Sequence, residues 1–189
     1  MSSRGSASDV KAERAVRIGV IGAGVMGSNH ARVLAGLPDT TLIGVVDPLP
    51  AHRTRATELT GCRTFASLDE LVAEGIDAVT IAAPTHLHHE VALACIAQGI
   101  HVLVEKPIAG SVEVGRDIVD AARRAGVTLM VGHVERFNPA VAAIKHAISG
   151  EDILSIAIPR VGPFPSRVSN VGGVIDVAVR PWNVDVGER

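Results

Sequence analysis

Aromatic side chains are nearly missing from this 189-residue chain, which holds three Phe, one Trp and no Tyr. Few rings are therefore available to stack on unpaired bases. An excess of basic charge is missing too. Eighteen Lys and Arg against 20 Asp and Glu leave a formal charge of −2, which offers no footprint for a phosphate backbone. Together these shortages argue against a nucleic-acid partner. Cysteine is limited to Cys62 and Cys95, too few for a disulfide framework and neither with a ligand-spaced companion, so a reducing, cytoplasmic setting is expected. The polar, Ser-rich start lacks the apolar stretch of a signal peptide. No apolar run reaches the roughly 18 residues of a membrane span, so no membrane partner is expected.

What is present is the composition of a globular core, with 47% hydrophobic and 20% charged residues. Residues 1–15 read as a flexible tail. Short β-branched runs follow at Val16–Ile21, Leu42–Val46, Asp77–Ala82, His101–Val104 and Val127–Val131. Runs apolar on both faces suit parallel strands covered by helices on each side. Between them, Met26–Ala35, Leu68–Ala73, His89–Gln98 and Val112–Ala125 read as helices, several stopped by a glycine at 36, 99 or 126. The alternation predicts a doubly wound α/β (Rossmann) domain over residues 16–133. Asn138-Pro139 then opens another helix, with Asn as its cap and Pro at its first position. With a strand at Ile153–Ile158, residues 134–189 read as the incomplete start of a second, α+β substrate domain.

Gly22-Ala23-Gly24-Val25-Met26-Gly27 matches G-x-G-x-x-G in the setting that gives the motif meaning, after a strand and opening a helix. Gly22 permits the turn, Gly24 lets a pyrophosphate approach, and Gly27 lets helix and strand pack closely. The N–H groups of Val25, Met26 and Gly27 open the helix and attract a diphosphate. Asp47 ends the second strand, where an acid binds the adenosine ribose; a plain Asp47-Pro48 surface turn is the alternative. An acid there favours NAD over NADP, a preference that Arg53 and Arg55 could soften.

Val104-Glu105-Lys106-Pro107, Pro84-Thr85-His86-Leu87-His88 and the run from Gly132 through His133, Arg136 and Asn138 to Pro139 resemble the glucose–fructose oxidoreductase and inositol dehydrogenase (Gfo/Idh/MocA) family. That resemblance spans residues 16–179 and implies a nicotinamide-dependent oxidoreductase acting on sugars or cyclitols. With Arg160-Val161-Gly162-Pro163-Phe164-Pro165, it is similar to members that oxidise C3 of UDP-N-acetylglucosamine. The resemblance places Lys106 beside the nicotinamide and the reacting hydroxyl, where a cation polarises oxygen or helps move its proton. Glu105 would orient Lys106 or bind cofactor ribose, and Thr85 and His88 would line the dinucleotide cleft. Arg136 and Asn138 would meet the substrate, although Asn138 is equally a helix cap. Arg160 and Arg167 suit a nucleotide-sugar diphosphate, or are simply solvated. No metal is expected, because Leu93 stands where H-E-x-x-H needs its second His and no Cys pair assists.

The resemblance fails at one point. Asp176 is kept as a catalytic candidate, but Arg180 and Pro181 stand where the family carries a proton-accepting His and a following residue, often Asp. Arg is no base near neutral pH. The chain ends at Arg189, where the family continues into a β-sheet that often forms a dimer face. A frameshifted or truncated gene is the reading of this end, and the homo-oligomer typical of the family is doubtful for it. Two expectations result: an NAD-dependent sugar dehydrogenase, or a catalytically inactive dinucleotide-binding remnant or NAD(H) sensor.

Overall fold

The computed structural model describes residues 14–150. Six strands form one parallel sheet: β1 (Val16–Ile21), β2 (Thr40–Val46), β3 (Arg63–Phe65), β4 (Ala78–Ile81), β5 (His101–Val104) and β6 (Leu129–Val131). Their spatial order is β3-β2-β1-β4-β5-β6, with Ile21 beside both Val46 and Ile81, and Ile81 beside Val104. The order reverses direction between β1 and β4, the switch point outside whose strand ends ligands bind in such sheets.

Six helices connect the strands: α1 (Val25–Leu34), α2 (Pro50–Thr60), α3 (Leu68–Ala73), α4 (His88–Ala97), α5 (Val112–Ala125) and α6 (Pro139–Ala147). Single turns of 3-10 helix stand at Thr85–Leu87 and Val134–Phe137. Local chemistry sets the boundaries. Ser111 caps α5 by accepting from the Val114 N–H, and Gly126 ends it in a left-handed conformation. At α3, Ser67 accepts from the Glu70 N–H while Glu70 reaches back to Ala66, a variant of the capping box. Asn138 caps α6 as its sequence suggests.

The core lies on both faces of the sheet. Val20, Val45, Val79, Ile81 and Val104 are fully buried, with Ala31 and Ala56 packed on one side and Cys95, Ile118 and Ala122 on the other. At the ends of β1 and β4 remote from the switch-point cleft, Asp77 ties the two strands together. Its carboxylate accepts from the Arg17 N–H at 2.8 Å and from the Arg14 guanidinium at 2.7 Å, while the Arg17 guanidinium donates to the carbonyls of Glu74 and Gly75.

The doubly wound expectation holds, but apolar periodicity alone passes over two elements, α2 and β3. Helix α2 buries only Ala56 and so carries no apolar stripe, and β3 is three residues long. The predicted strand Ile153–Ile158 and the positions Arg160, Arg167 and Asp176 lie outside the described residues.

Candidate functional site: a dinucleotide cleft

The glycine loop leaves β1 with Gly22 at φ +96°, a conformation that L side chains rarely adopt. A side chain there would also come within 2.8 Å of the Ala82 carbonyl oxygen on the neighbouring strand. A Cβ on Gly27 would overlap the carbonyl oxygen of Gly22, so helix and loop close on each other only with glycine in that place. Gly24 is different. Its missing Cβ points into space holding no protein atom within 4 Å. Above that space α1 begins with no side-chain cap and no acid in its first turn, which leaves the first N–H groups to an outside acceptor. This cradle fits a diphosphate.

Asp47 closes the adjoining side. Its Oδ2 accepts from the Ala23 N–H at 2.8 Å and meets His52 Nδ1 at 3.1 Å, and its Oδ1 accepts from the Leu49 N–H at 2.9 Å. Burial pushes this carboxyl upward, yet the two N–H bonds and His52 outweigh it and hold the group below its ordinary range. Each carboxylate oxygen has two acceptor directions, so Oδ1 keeps one for a ligand hydroxyl. The Arg53 guanidinium turns onto the carbonyls of Asp47 and Pro48.

Across the switch point, β5 is followed by Glu105 and half-buried Lys106, with a cis bond to Pro107. Glu105 is 6% exposed. Its Oε1 pairs with His30 Nε2 at 2.7 Å and its Oε2 accepts from the Lys106 N–H at 3.1 Å. Burial raises this carboxyl as well, but the His30 hydrogen bond and charge, with the N–H and charge of Lys106, bring it below its ordinary value. Gly132 makes the room: a Cβ there would stand 2.9 Å from Oε1.

His88 was expected to line the cleft and is instead 1% exposed. Its Nδ1 meets the Pro107 carbonyl and its Nε2 the Ala83 carbonyl, both at 2.9 Å, so it braces the ends of β4 and β5 from behind. Thr85 is half-buried in the turn after β4. Arg136 and Asn138 are exposed. Asn138 spends its side chain locally, accepting from the Ala140 N–H and donating to Glu135. His89 pairs with Asp117.

Sequence reasoning missed His30 and His52. The signal for His30 was a polar residue three positions after Gly27, on the helix face that packs on the sheet. Nothing in sequence spacing reveals its partner, 75 residues away.

A parallel sheet in this order, a diphosphate cradle after β1 and an acid at the end of β2 define a dinucleotide-binding domain. Residues 16–133 match the Gfo/Idh/MocA family, described as an oxidoreductase family with an NAD-binding Rossmann fold. The chain belongs to that family, and this segment is its NAD-binding domain. It is 32% identical over 164 residues to a UDP-N-acetylglucosamine 3-dehydrogenase of Acidithiobacillus ferrooxidans, covering 87% of this chain and 51% of that protein. An inositol 2-dehydrogenase of Saccharopolyspora erythraea is 36% identical over 139 residues, covering 71% of this chain and 41% of the relative. Among solved structures, GenD2 of gentamicin A biosynthesis in complex with NAD superposes with a TM-score of 0.70 at 31% identity, covering 79% of this chain and 42% of that one. The WlbA dehydrogenase of Bordetella pertussis in complex with NADH and UDP-GlcNAcA gives 0.68 at 35% identity, covering 72% and 42%. The chain thus spans about half the length of the curated relatives it matches.

Proposed function

We propose that this chain serves an NAD-dependent dehydrogenase that oxidises a sugar hydroxyl carbon in the cytoplasm, with a nucleotide sugar of the UDP-N-acetylglucosamine kind, oxidised at C3, as its substrate. The observation that carries this reading is the placement of Lys106. It stands at the end of β5, across the switch point from the Gly22–Gly27 cradle, on a turn clamped by Glu105 and His88. The first N–H groups of α1 hold the diphosphate, and the remaining acceptor direction of Asp47 Oδ1 takes an adenosine ribose hydroxyl. Its negative charge disfavours a 2′-phosphate, which supports NAD over NADP. Glu105 fixes the Lys106 main chain. Lys106 polarises the substrate hydroxyl oxygen, Thr85 lines the dinucleotide cleft, and Arg136 and Asn138 border the sugar. Asp176, Arg160 and Arg167 complete the substrate side in this reading. Bound NAD supplies the hydride acceptor.

The substrate assignment draws on the nucleotide-sugar relatives, which include the one matched over 87% of this chain. A cyclitol substrate draws on the inositol dehydrogenase, matched over 71%. With Arg180 where the family has a basic His, a chain that binds NAD without turnover is the second reading.

The deciding experiment titrates the protein with NADH by nicotinamide fluorescence. NAD is then supplied with UDP-N-acetylglucosamine or with myo-inositol while reduced nicotinamide is followed by absorbance. Reduction with the nucleotide sugar alone supports the reading, and reduction with inositol alone replaces the substrate. Binding without reduction supports the remnant, and absence of binding by folded protein overturns both.

A further inference from the structure

Glu105 and His30 link the two halves of the cleft. His30 lies on α1, the helix whose N-terminus forms the diphosphate cradle, and its Nε2 is 2.7 Å from Glu105 Oε1. The pair is largely shut off from water, with side-chain exposures of 19% and 7%. The other oxygen of the same carboxylate accepts from the Lys106 N–H. The carboxylate is packed against the main chain of Gly132, at the end of β6, where no Cβ intervenes. Three walls therefore fix it: α1 through His30, β6 through Gly132, and its own turn through Lys106. Removing the imidazole would free Oε1 and remove the tie to α1, leaving the carboxylate held at its own turn by the 3.1 Å bond from the Lys106 N–H and by the charge of Lys106.

We propose that His30 is a positioning residue for the nicotinamide half of the site: through Glu105 it sets the Lys106 turn relative to the diphosphate cradle on its own helix. This rests on the NAD reading above. The roles are divided along α1, whose first turn faces the diphosphate while His30, one turn further on, steers the residue that meets the reacting end. His30 itself touches neither.

The division gives a test that a purely structural histidine would fail. ADP carries the adenosine and diphosphate of NADH but neither the nicotinamide nor its ribose. In His30→Ala we expect NADH to bind about tenfold more weakly, the scale of one lost charge-assisted hydrogen bond, while ADP affinity stays within about twofold. His30→Gln, whose amide can donate to Oε1, should recover most of the NADH affinity. Glu105→Gln should lose selectively for NADH as His30→Ala does. Should His30→Ala fail to fold, His30→Leu, which fills the space but has no donor for Oε1, carries the same comparison. Equal weakening of ADP and NADH, or no change in either, overturns the inference while leaving the NAD reading intact. A wild-type protein that binds neither nucleotide overturns that reading and this inference together.

Discussion

The carboxylate of Asp47, at the end of β2, accepts a 2.8 Å hydrogen bond from the main-chain N–H of Ala23 inside the glycine loop. The residue expected to select the cofactor thus also holds the loop that receives the diphosphate. Asn at this position keeps an acceptor for Ala23 but loses the charge. We expect wild type to bind NADH at least about tenfold more tightly than NADPH, and Asp47→Asn to narrow that ratio while lowering the melting temperature, because its amide nitrogen faces one of the two N–H groups, of Ala23 and Leu49, that the carboxylate accepts. Parallel titrations with the two reduced cofactors check this; an unchanged ratio would remove Asp47 from the selection.

Two glycines of one loop should fail in different ways. A Cβ at Gly27 collides with rigid main chain, so Gly27→Ala should cost several kcal/mol, about 3 or more, and lower the melting temperature together with NADH affinity. A Cβ at Gly24 meets no protein atom. Gly24→Ala should melt near wild type yet bind NADH and ADP more weakly, because the methyl occupies the diphosphate's approach. Calorimetry beside nucleotide titration separates the two.

His88 and His89 are neighbours in sequence with opposite surroundings. Removing the His88 ring takes away an N–H donor set between the Pro107 and Ala83 carbonyls and opens a cavity, so His88→Ala should destabilise by about 3 kcal/mol. His89 pairs with Asp117 in solvent, and His89→Ala should change stability by no more than about 0.5 kcal/mol. Chemical denaturation midpoints would show the contrast, and equal losses would contradict it.

Acid sensitivity follows from the two buried carboxylates. Asp47 and Glu105 are both held below their ordinary values of 3.8 and 4.5 in the folded chain. The unfolded state therefore binds protons first as pH falls, so the stabilisation is complete above about pH 4.5 and is lost as pH drops through the lower folded-state values. Asp77, depressed by the N–H of Arg17 and by Arg14, adds to the same limb. Melting temperature should be level between about pH 5 and 7 and decline below about pH 4.5, with a shallower decline in Glu105→Gln.

The two thiols should behave as inside and outside probes. Burial pushes Cys95 up to about 12, and no part of it is exposed, whereas Cys62 is half-buried beside Thr60. An alkylating reagent should modify Cys62 in the native protein and reach Cys95 only after unfolding. Mass spectrometry of peptides taken before and after denaturant reads this directly.

Legibility in the sequence followed the reach of the forces involved. The bounds of β1, α3, β5 and α5 agree with their apolar runs and caps, since Ser67, Ser111 and Gly126 act within a few residues. The cradle was equally plain, because its glycines serve one local turn. Helix α2 escaped because it packs by a single alanine, Ala56, and pattern reading needs a stripe. The pairing of His30 with Glu105 escaped for another reason. It joins elements far apart along the chain, and only the order of strands brings them together. His88 shows the reverse hazard: its motif was visible, but whether its ring faced the cleft or the core depended on packing that no spacing encodes.

Asp77, gathering Arg14 and Arg17 at the far end of the sheet, divides the domain's duties. One tie of β1 to β4 thus stands at the strand ends away from the cleft. Substitutions in the loops at the opposite strand ends leave this tie untouched. A scaffold so arranged can diversify its reactions while inheriting its architecture unchanged.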